Sequence, residues 1–254
     1  MDFNELNRKA WNEEVRRNNF WTRIAEPEQI ALAAGGRPEI RLSPHSYVPQ
    51  DWIGCMKGRK VLILAGGGGQ QTPIMSAFGA DVTTIDISDG QLAQDAKALK
   101  RYGIKAELVR GSIDALPFPD ESFDYALNPV SLCFVKDIAA VYREAYRVLR
   151  HGGELMFGIA NPVIYMFDEK KQERRLRIKY TIPFSDERSK SQKELRKMEA
   201  AGDTFEYSHT LSDIIGDLIS TGFVIDGFYS DKAESEPTDS FIYDSYLVFR
   251  ARKS

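Results

Sequence analysis

Short apolar runs alternate with segments of helical spacing along most of the chain. The runs are rich in Val, Ile and Thr, as strands are, and they lie at 60–65, 81–87, 106–109, 123–127, 154–159, 223–229 and 241–250. The intervening segments repeat apolar residues every three or four positions, as one face of a helix does, and they lie at 72–78, 92–99, 138–149 and 211–219. This alternation predicts βαβ units and therefore an α/β fold with a doubly wound, mostly parallel sheet.

The first 56 residues depart from this pattern and predict an N-terminal helical cap with a linker. Apolar residues recur among charged ones over 6–24, which indicates one or two short amphipathic helices. The next stretch is expected to form a loop, because turn-forming residues interrupt it at Gly35, Gly36, Pro38, Pro44 and Pro49. The main domain is accordingly placed at 57–254.

A second departure lies at 161–207, before the last predicted helix and strands. Within it, residues 169–199 hold 11 Lys and Arg against 6 Asp and Glu, in a chain of net charge -3. One interpretation is a solvated insertion with a charged helix near 189–201, since charge runs usually form a solvated face. The other is a lid over a substrate, or an anion-binding patch.

Composition adds few limits to this picture. With 254 residues, 43% hydrophobic and 28% charged, the chain suits one or two ordinary globular domains. The net charge of -3 gives no global field that would attract nucleic acid or an anionic membrane, so neither is expected as a partner.

The cysteines and the N-terminal segment bear on where the protein acts. Cys55 and Cys133 are far apart and have no ligand spacing around them, so neither a disulfide framework nor a metal site is expected. The chain has no apolar run of about 18 residues, and 1–17 is polar, so neither a membrane span nor a signal peptide is expected. These features favour a reducing compartment, the cytoplasm.

The most informative segment is the glycine-rich sequence after the first predicted strand. Ala65 and then Gly66, Gly67, Gly68 and Gly69 follow the apolar run. Glycines here let the backbone turn sharply and approach a ligand, and the next helix offers unpaired N–H groups. A merely flexible turn is the alternative, but the position between a strand and a helix is where open α/β sheets bind ligands.

Two nucleotide-binding motifs are not matched by this loop. A dinucleotide fingerprint beginning at Gly66 would need a small residue where Gln71 stands, and one beginning at Gly67 would meet Thr72. The chain also lacks the G-x-x-x-x-G-K-[ST] sequence of a phosphate-binding loop. A dinucleotide-dependent oxidoreductase is therefore a less favoured alternative.

A carboxylate ends the second predicted strand, seventeen residues after Gly69. Asp86 at this place can accept hydrogen bonds from both hydroxyls of a ribose. The alternative is a turn or capping aspartate, since Ser88 and Asp89 lie where the next helix begins. The loop and the acid together suggest an adenosine-containing cofactor.

Two further segments, 111–124 and 147–153, complete a set of motifs that spans 57–160. They read GSIDALPFPDESFD and RVLRHGG. With the glycine loop and Asp86 in this order, the chain resembles the class I S-adenosylmethionine-dependent methyltransferases, of the small-molecule type related to the ubiquinone/menaquinone-biosynthesis enzymes. The resemblance implies a Rossmann-like seven-stranded sheet, S-adenosyl-L-methionine as cofactor with S-adenosyl-L-homocysteine as product, and a small-molecule methyl acceptor.

The resemblance also assigns cofactor contacts to positions of this chain. In the family the glycine loop holds the methionine part, the acid after the second strand holds the ribose, and residues after the third strand border the adenine. By position, these are Ala65 with Gly66, Gly67, Gly68 and Gly69, then Asp86 with Ile87 and Gln91, and then Ser112 with Ile113 and Asp114. Asn128 begins the sequence Asn-Pro-Val-Ser, which resembles in two of its four positions the Asn-Pro-Pro-Tyr motif of amino-methylating enzymes.

The chain departs from the family pattern at three positions in or beside these contacts. Ile63 stands where an acid is usual, Ala65 replaces the first glycine, and Ser112 replaces an acid that contacts the adenine amino group. We therefore expect other carbonyls to hold the methionine amino group, and the Ser112 hydroxyl or Asp114 to contact the adenine.

Methyl transfer is a direct displacement, so alignment and exclusion of water matter most and a base is optional. His209 is the candidate base if the acceptor is a hydroxyl, and a histidine in a capping segment is the alternative. The N-terminal segment and 161–207 are expected to close over the cofactor and build the acceptor pocket. An RNA or protein methyltransferase that uses the basic residues 169–199 and a catalytically idle cofactor-binding protein remain alternatives.

Overall fold

The computed structural model describes residues 1–167, 177–232 and 237–254. The helices of this part of the chain are α1 (Phe3–Arg16), α2 (Pro27–Ala34), α3 (Gln50–Ile53), α4 (Gln71–Phe78), α5 (Asp89–Tyr102), α6 (Ile138–Val148), α7 (Asp186–Ser189), α8 (Gln192–Ala201) and α9 (Asp217–Ser220). The strands are β1 (Lys60–Leu64), β2 (Asp81–Asp86), β3 (Glu107–Arg110), β4 (Phe123–Asn128), β5 (Leu149–Ala160), β6 (Phe223–Asp231) and β7 (Tyr246–Lys253).

The strands form one sheet in the order β3-β2-β1-β4-β5-β7-β6. The first five run parallel, and β7 is antiparallel to both of its neighbours. The predicted doubly wound, mostly parallel seven-stranded sheet is thus confirmed. Because β1, β2 and β4 are parallel and adjacent, the residues that follow them meet at the carboxyl edge of the sheet, where open α/β folds bind ligands.

Helices cover both faces of the sheet, and for this reason the central strand β1 is apolar and buried from Val61 to Leu64. Alternate residues of β1 point to opposite faces: Leu62 and Leu64 belong to one buried cluster, and Val61 and Ile63 to the other. The first cluster includes α6 and α9, and the second includes α4 and the linker around α3. This packing on both faces fixes the position of β1 and therefore of the glycine loop that follows it.

Helix α5 is anchored at both ends and holds its first turn at the carboxyl edge. The hydroxyl of Ser88 accepts the Gln91 N–H at 3.1 Å, which satisfies a backbone donor of the first turn. Gly103, in the left-handed region at φ 66°, ends the helix.

Several element boundaries differ from the sequence-based predictions. The linker contains α2 and α3; α2 begins at Pro27 with a capping box between Glu26 and Gln29, a signal that the glycines and prolines after it concealed. The strand expected at 241–250 begins only at Tyr246, because pairing with β5 starts where Tyr246 faces Ala160. The helix expected at 211–219 begins instead as a π-helical turn and continues as α9.

The N-terminal helix and the described part of the insertion pack against each other. Asn7 of α1 accepts the Phe205 N–H at 2.7 Å and donates to the Phe205 carbonyl at 3.0 Å. Leu6, Leu195 and Phe205 form a small buried cluster between α1 and α8. Of the basic segment expected at 169–199, residues 169–176 lie outside the described residues.

Candidate functional site

The loop after β1 has a backbone that suits glycine. Gly68 and Gly69 have φ values of 115° and 88°, and Ala65 adopts 47°. A Cβ on Gly67 would lie 2.8 Å from the Gln91 Cβ, and one on Gly68 would lie 2.9 Å from the Trp21 carbonyl. The loop is therefore enclosed by α5 on one side and the N-terminal segment on the other.

Asp86 lies at the end of β2, directly beside this loop. Its Oδ2 accepts the Gly67 N–H at 3.2 Å, and its Oδ1 accepts the Ser88 N–H at 2.8 Å. Burial raises the pKa of Asp86 to about 6, against the opposing effect of these backbone donors. Each oxygen keeps a lone pair for a further hydrogen bond, so the carboxylate can accept from hydroxyl groups in the cavity.

Two polar residues on one face of α5 support the loop. Gln91 lines the cavity, and its Oε1 is buried without a hydrogen-bond partner among the described residues. Asp95, one turn later, accepts the Gly69 N–H at 2.9 Å, and burial raises its pKa to about 8. Asp95 is not among the residues predicted from the sequence; the available signal was an acid four residues after Gln91, in line with the buried Ala98 and Leu99.

The other predicted cofactor positions divide into two groups. Those that line the same cavity as Asp86 and Gln91 are Ala65, Gly66, Gly67, Ile87, Ser112 and Ile113. The residues outside its lining are Gly68, Gly69, Asp114 and Asn128.

Asn128 has a structural contact at the end of β4. Its Nδ2 donates to the Leu64 carbonyl at 2.7 Å and to the Ser131 hydroxyl at 2.6 Å. This side chain joins the ends of β1 and β4 beneath the glycine loop.

The cavity has a volume of about 890 Å³ and continues from the sheet edge to the insertion. At its far end the ring of Phe184 stacks on Tyr165, with centroids 5.5 Å apart, and meets Tyr180 edge-on at 4.9 Å. The Tyr165 hydroxyl donates to Glu206 Oε2 at 2.8 Å. Burial raises the pKa of Tyr165 well above its ordinary value, so this phenol stays protonated and donates its hydrogen bond.

His209 lies outside the lining of this large cavity. Its ring is buried, its Nε2 is 3.1 Å from the Leu132 carbonyl, and burial lowers its pKa. It faces a smaller pocket of about 140 Å³ with Lys136 and Asp213. The structure therefore does not bring His209 together with Asp86 and the glycine loop.

The N-terminal segment covers the loop side of the cavity. Asn12 of α1 accepts the Gly90 N–H at 2.7 Å and the Ser88 hydroxyl at 2.9 Å, which ties α1 to the start of α5. The Ala25 N–H donates to the Gly69 carbonyl at 2.7 Å. Trp11 and Trp21 contribute to the cavity wall, as do Tyr165 and Tyr180 of the insertion.

The residues present fit S-adenosylmethionine, the cofactor that the resemblance implies. The glycines let α5 and the N-terminal segment approach the loop where a Cβ would collide, and Asp86 offers lone pairs to a ribose. Among the described residues, the buried Oε1 of Gln91 has no hydrogen-bond partner. Ser112 and Ile113 lie on the same wall, where the adenine is expected. Among the residues described, no group of three or more His, Cys, Asp or Glu could hold a metal ion.

Comparison with known proteins gives a consistent result. A family model described as a methyltransferase domain matches residues 62–157. The chain is 41% identical over 243 residues to the uncharacterized methyltransferase YbaJ of Bacillus subtilis, with 95% of this chain and 93% of that protein covered. It is 36% identical to the ubiquinone/menaquinone biosynthesis C-methyltransferase UbiE of an Enterobacter species, over 45% of this chain and 48% of that protein.

Solved structures share the fold at lower sequence identity. An S-adenosylmethionine-dependent methyltransferase from Mesorhizobium loti aligns with a TM-score of 0.61 at 24% identity, covering 78% of this chain and 92% of that one. The 1,6-didemethyltoxoflavin-N1-methyltransferase of Burkholderia thailandensis, solved with its acceptor and S-adenosylhomocysteine, aligns with a TM-score of 0.62 at 14% identity. The latter alignment covers 98% of this chain and 88% of that one, and it therefore includes the N-terminal segment and the insertion.

Proposed function

The chain belongs to the class I S-adenosylmethionine-dependent methyltransferases, and from this premise we propose that it methylates a small organic molecule bound in the 890 Å³ cavity. S-adenosylmethionine is the cofactor and supplies a methyl group on a positively charged sulfur. The observation that carries the proposal is the cavity itself, which joins the glycine loop and Asp86 to the aromatic residues of the insertion.

The cofactor side of the proposed site is built from the loop and the strand ends. We propose that Gly66 and Gly67 pass along the methionine part, that Asp86 accepts from the ribose hydroxyls, and that Ser112 and Ile113 border the adenine. Asp95 has a positioning role, since it holds the Gly69 N–H and through it the shape of the loop. These contacts fix the methyl donor relative to the far end of the cavity.

The acceptor side is enclosed by segments outside the sheet, and this supports a small acceptor. The hydrogen bonds between Asn7 and Phe205 hold α1 against the insertion, so these two segments meet over the cavity. A cavity of about 890 Å³ is in the range of pockets that hold a cofactor or a drug-sized ligand. The covering segments also exclude water, which favours displacement by the acceptor over side reactions. The Enterobacter relative, a C-methyltransferase of ubiquinone/menaquinone biosynthesis, supports the same class of acceptor.

Proton removal from a hydroxyl or amine acceptor is assigned to Glu206 in this proposal, in place of His209. Glu206 lines the cavity and accepts a hydrogen bond from the Tyr165 hydroxyl at 2.8 Å, whereas the His209 ring lies in a different pocket. Its carboxylate can take the proton that the acceptor loses as the new bond to the methyl group forms. The free thiols of Cys55 and Cys133 suit a reducing compartment, and we place the reaction in the cytoplasm.

A screen with S-adenosylmethionine labelled in its methyl group tests this function. The full chain is incubated with pools of small metabolites, with total RNA and with a protein extract, and label transfer is measured in each. Transfer to a metabolite pool, lost on Glu206→Gln or Asp86→Ala, is the expected result. Label in RNA or protein alone would instead favour a macromolecular acceptor. Binding of S-adenosylhomocysteine with no transfer to any pool would favour an idle cofactor-binding protein.

A further inference from the structure

The cavity wall has an unequal distribution of charge. The acids that line it are Glu14, Asp86, Asp186, Asp203 and Glu206, and the cations are Arg41 and Lys190. Lys190 pairs with Asp186 at 2.9 Å and lies on the insertion side. No ion pair involves Arg41 within the part of the chain that the structure describes. Arg41 is thus the cation of the wall that is not already paired with an acid there.

Arg41 lies in the linker between α2 and α3, next to the glycine-loop side of the sheet edge. Its carbonyl accepts from the side-chain amide of Gln71, the first residue of α4, at 3.2 Å. Gln71 also lines the cavity. The linker is held in this place because Leu42 crosses directly over Gly158 of β5, where a Cβ would lie 1.5 Å from the Leu42 carbonyl oxygen.

The guanidinium of Arg41 is oriented but incompletely hydrogen-bonded. Its Nη2 donates to the Tyr47 hydroxyl at 2.8 Å, and its central carbon lies 4.4 Å from the centre of the Tyr47 ring. Its Nε is buried and has no hydrogen-bond partner among the described residues. A buried donor without a partner is costly in a native protein unless a ligand completes it.

We propose that Arg41 forms an anion subsite that binds the carboxylate of the methionine part of the cofactor. A guanidinium matches a carboxylate in geometry and charge, and the unpartnered Nε supplies a donor for it. An anion here also offsets the desolvation of a cation in a wall that is otherwise acidic.

The test compares two ligands that differ only in the carboxylate. Affinities of the full chain for S-adenosylhomocysteine and for decarboxylated S-adenosylhomocysteine are measured by calorimetry, in the wild type and in Arg41→Gln. The dissociation constant of S-adenosylhomocysteine should rise about 10- to 100-fold in the variant, as loss of a charge-assisted hydrogen bond predicts, while that of the decarboxylated ligand should change less than about twofold. Arg37→Gln, at an exposed position of the same linker, is the matched control and should leave both affinities unchanged.

Equal weakening of both ligands in Arg41→Gln, or no weakening of either, would overturn the proposal. Arg41→Lys guards against a folding defect, because it keeps the charge but not the planar donor set. It should bind S-adenosylhomocysteine with an affinity between those of the wild type and Arg41→Gln, and a full loss in Arg41→Lys for both ligands would also count against the subsite. The measurement needs no methyl acceptor, so its outcome is independent of the small-molecule assignment.

Discussion

Asp86 joins two functions in one carboxylate, since it holds the Gly67 N–H and faces the cavity. Replacement by Ala removes the proposed ribose contacts, and we expect the binding free energy of S-adenosylhomocysteine to weaken by about 2 to 4 kcal/mol. The free energy of unfolding should also fall, by about 1 to 3 kcal/mol, because the Gly67 and Ser88 N–H groups lose their acceptor. Calorimetry and thermal denaturation measure the two quantities. Asp81→Ala is the control, as an exposed acid at the other end of β2, and equal affinity in both variants would place the ribose elsewhere.

The raised pKa of Asp86 gives this binding a pH dependence. Ionised Asp86 is the stronger hydrogen-bond acceptor, and burial places its pKa at about 6. Affinity for S-adenosylhomocysteine should therefore be full above this pH and decline below it in the wild type, while Asp86→Ala should lack that decline.

Asp95 is expected to affect folding stability through its proton. Burial raises its pKa from 3.8 to about 8 in the folded chain, so the native state retains the proton to a higher pH than the unfolded state does. Between these pH values the unfolded chain releases more protons, and stability falls as pH rises, by at most about 1.4 kcal/mol per pH unit. Urea denaturation at several pH values should show this decline in the wild type and a smaller one in Asp95→Asn. An identical slope in both proteins would contradict the assignment.

At the scale of elements, the backbone of the linker lies in very close contact with the backbone of β5. A Cβ at Gly158 would lie 1.5 Å from the Leu42 carbonyl oxygen, so neither backbone can stay in place if Gly158 becomes Ala. We expect Gly158→Ala to destabilise the fold by about 1 to 3 kcal/mol or more, as overpacking in a core does, and to displace Arg41 with the linker. Gly216→Ala is the control, because nothing lies within 4 Å of a Cβ there. The denaturation midpoints of the two variants measure the difference in stability. Similar midpoints would show that the linker can move away from β5 at little cost in free energy.

The same elements show what the sequence could predict. β1 is a short apolar run, and β2 and β4 hold β-branched or aromatic residues between turn residues, as strands do. The glycine loop and Asp86 follow these strands directly, so their neighbourhood was predictable once a parallel sheet was expected. By contrast, the positions of Arg41 and Glu206 depend on crossings of the linker and the insertion, which no local period encodes.

Boundaries in the irregular parts were predictable only in outline. Apolar residues at 241–243 precede β7 in the sequence. Only the pairing of Tyr246 with Ala160 decides where this strand starts. His209 has the sequence context of a pocket residue, yet its ring turns to the Leu132 carbonyl. Both outcomes reflect tertiary contacts that override local pattern.

At the scale of the whole molecule, the cavity is covered by two segments that are far apart in the sequence, the N-terminal segment and the insertion. Helix α1 contacts α5 through Asn12 and the insertion through Asn7. None of the helices that the structure describes combines the length and the hydrophobicity of a transmembrane span. The covering segments are attached mainly by hydrogen bonds and small apolar clusters, which is the kind of contact that opens at low cost.

This arrangement predicts that cofactor binding and closure of the cover are coupled. Hydrogen exchange of the full chain, with and without S-adenosylhomocysteine, should show slower exchange in α1 and in 177–207 when the ligand is present, because a bound ligand stabilises the closed state. Strand β6, an edge strand of the sheet with no residue in the cavity lining, provides the internal control and should change little. Unchanged exchange in both covering segments would rule out the lid.

Deletion of residues 1–24 tests the same coupling from the side of the protein. The deletion removes α1 and with it the Asn12 contacts to Ser88 and Gly90, but none of the strands of the sheet. We expect far-UV circular dichroism to report a folded sheet, and affinity for S-adenosylhomocysteine to fall because the glycine loop loses one of its walls. A folded deletion variant with wild-type affinity and turnover would make α1 a passive tail. The double substitution Asn7→Ala with Asn12→Ala keeps the segment but removes its polar contacts, and a partial loss of affinity there would assign the effect to docking of α1.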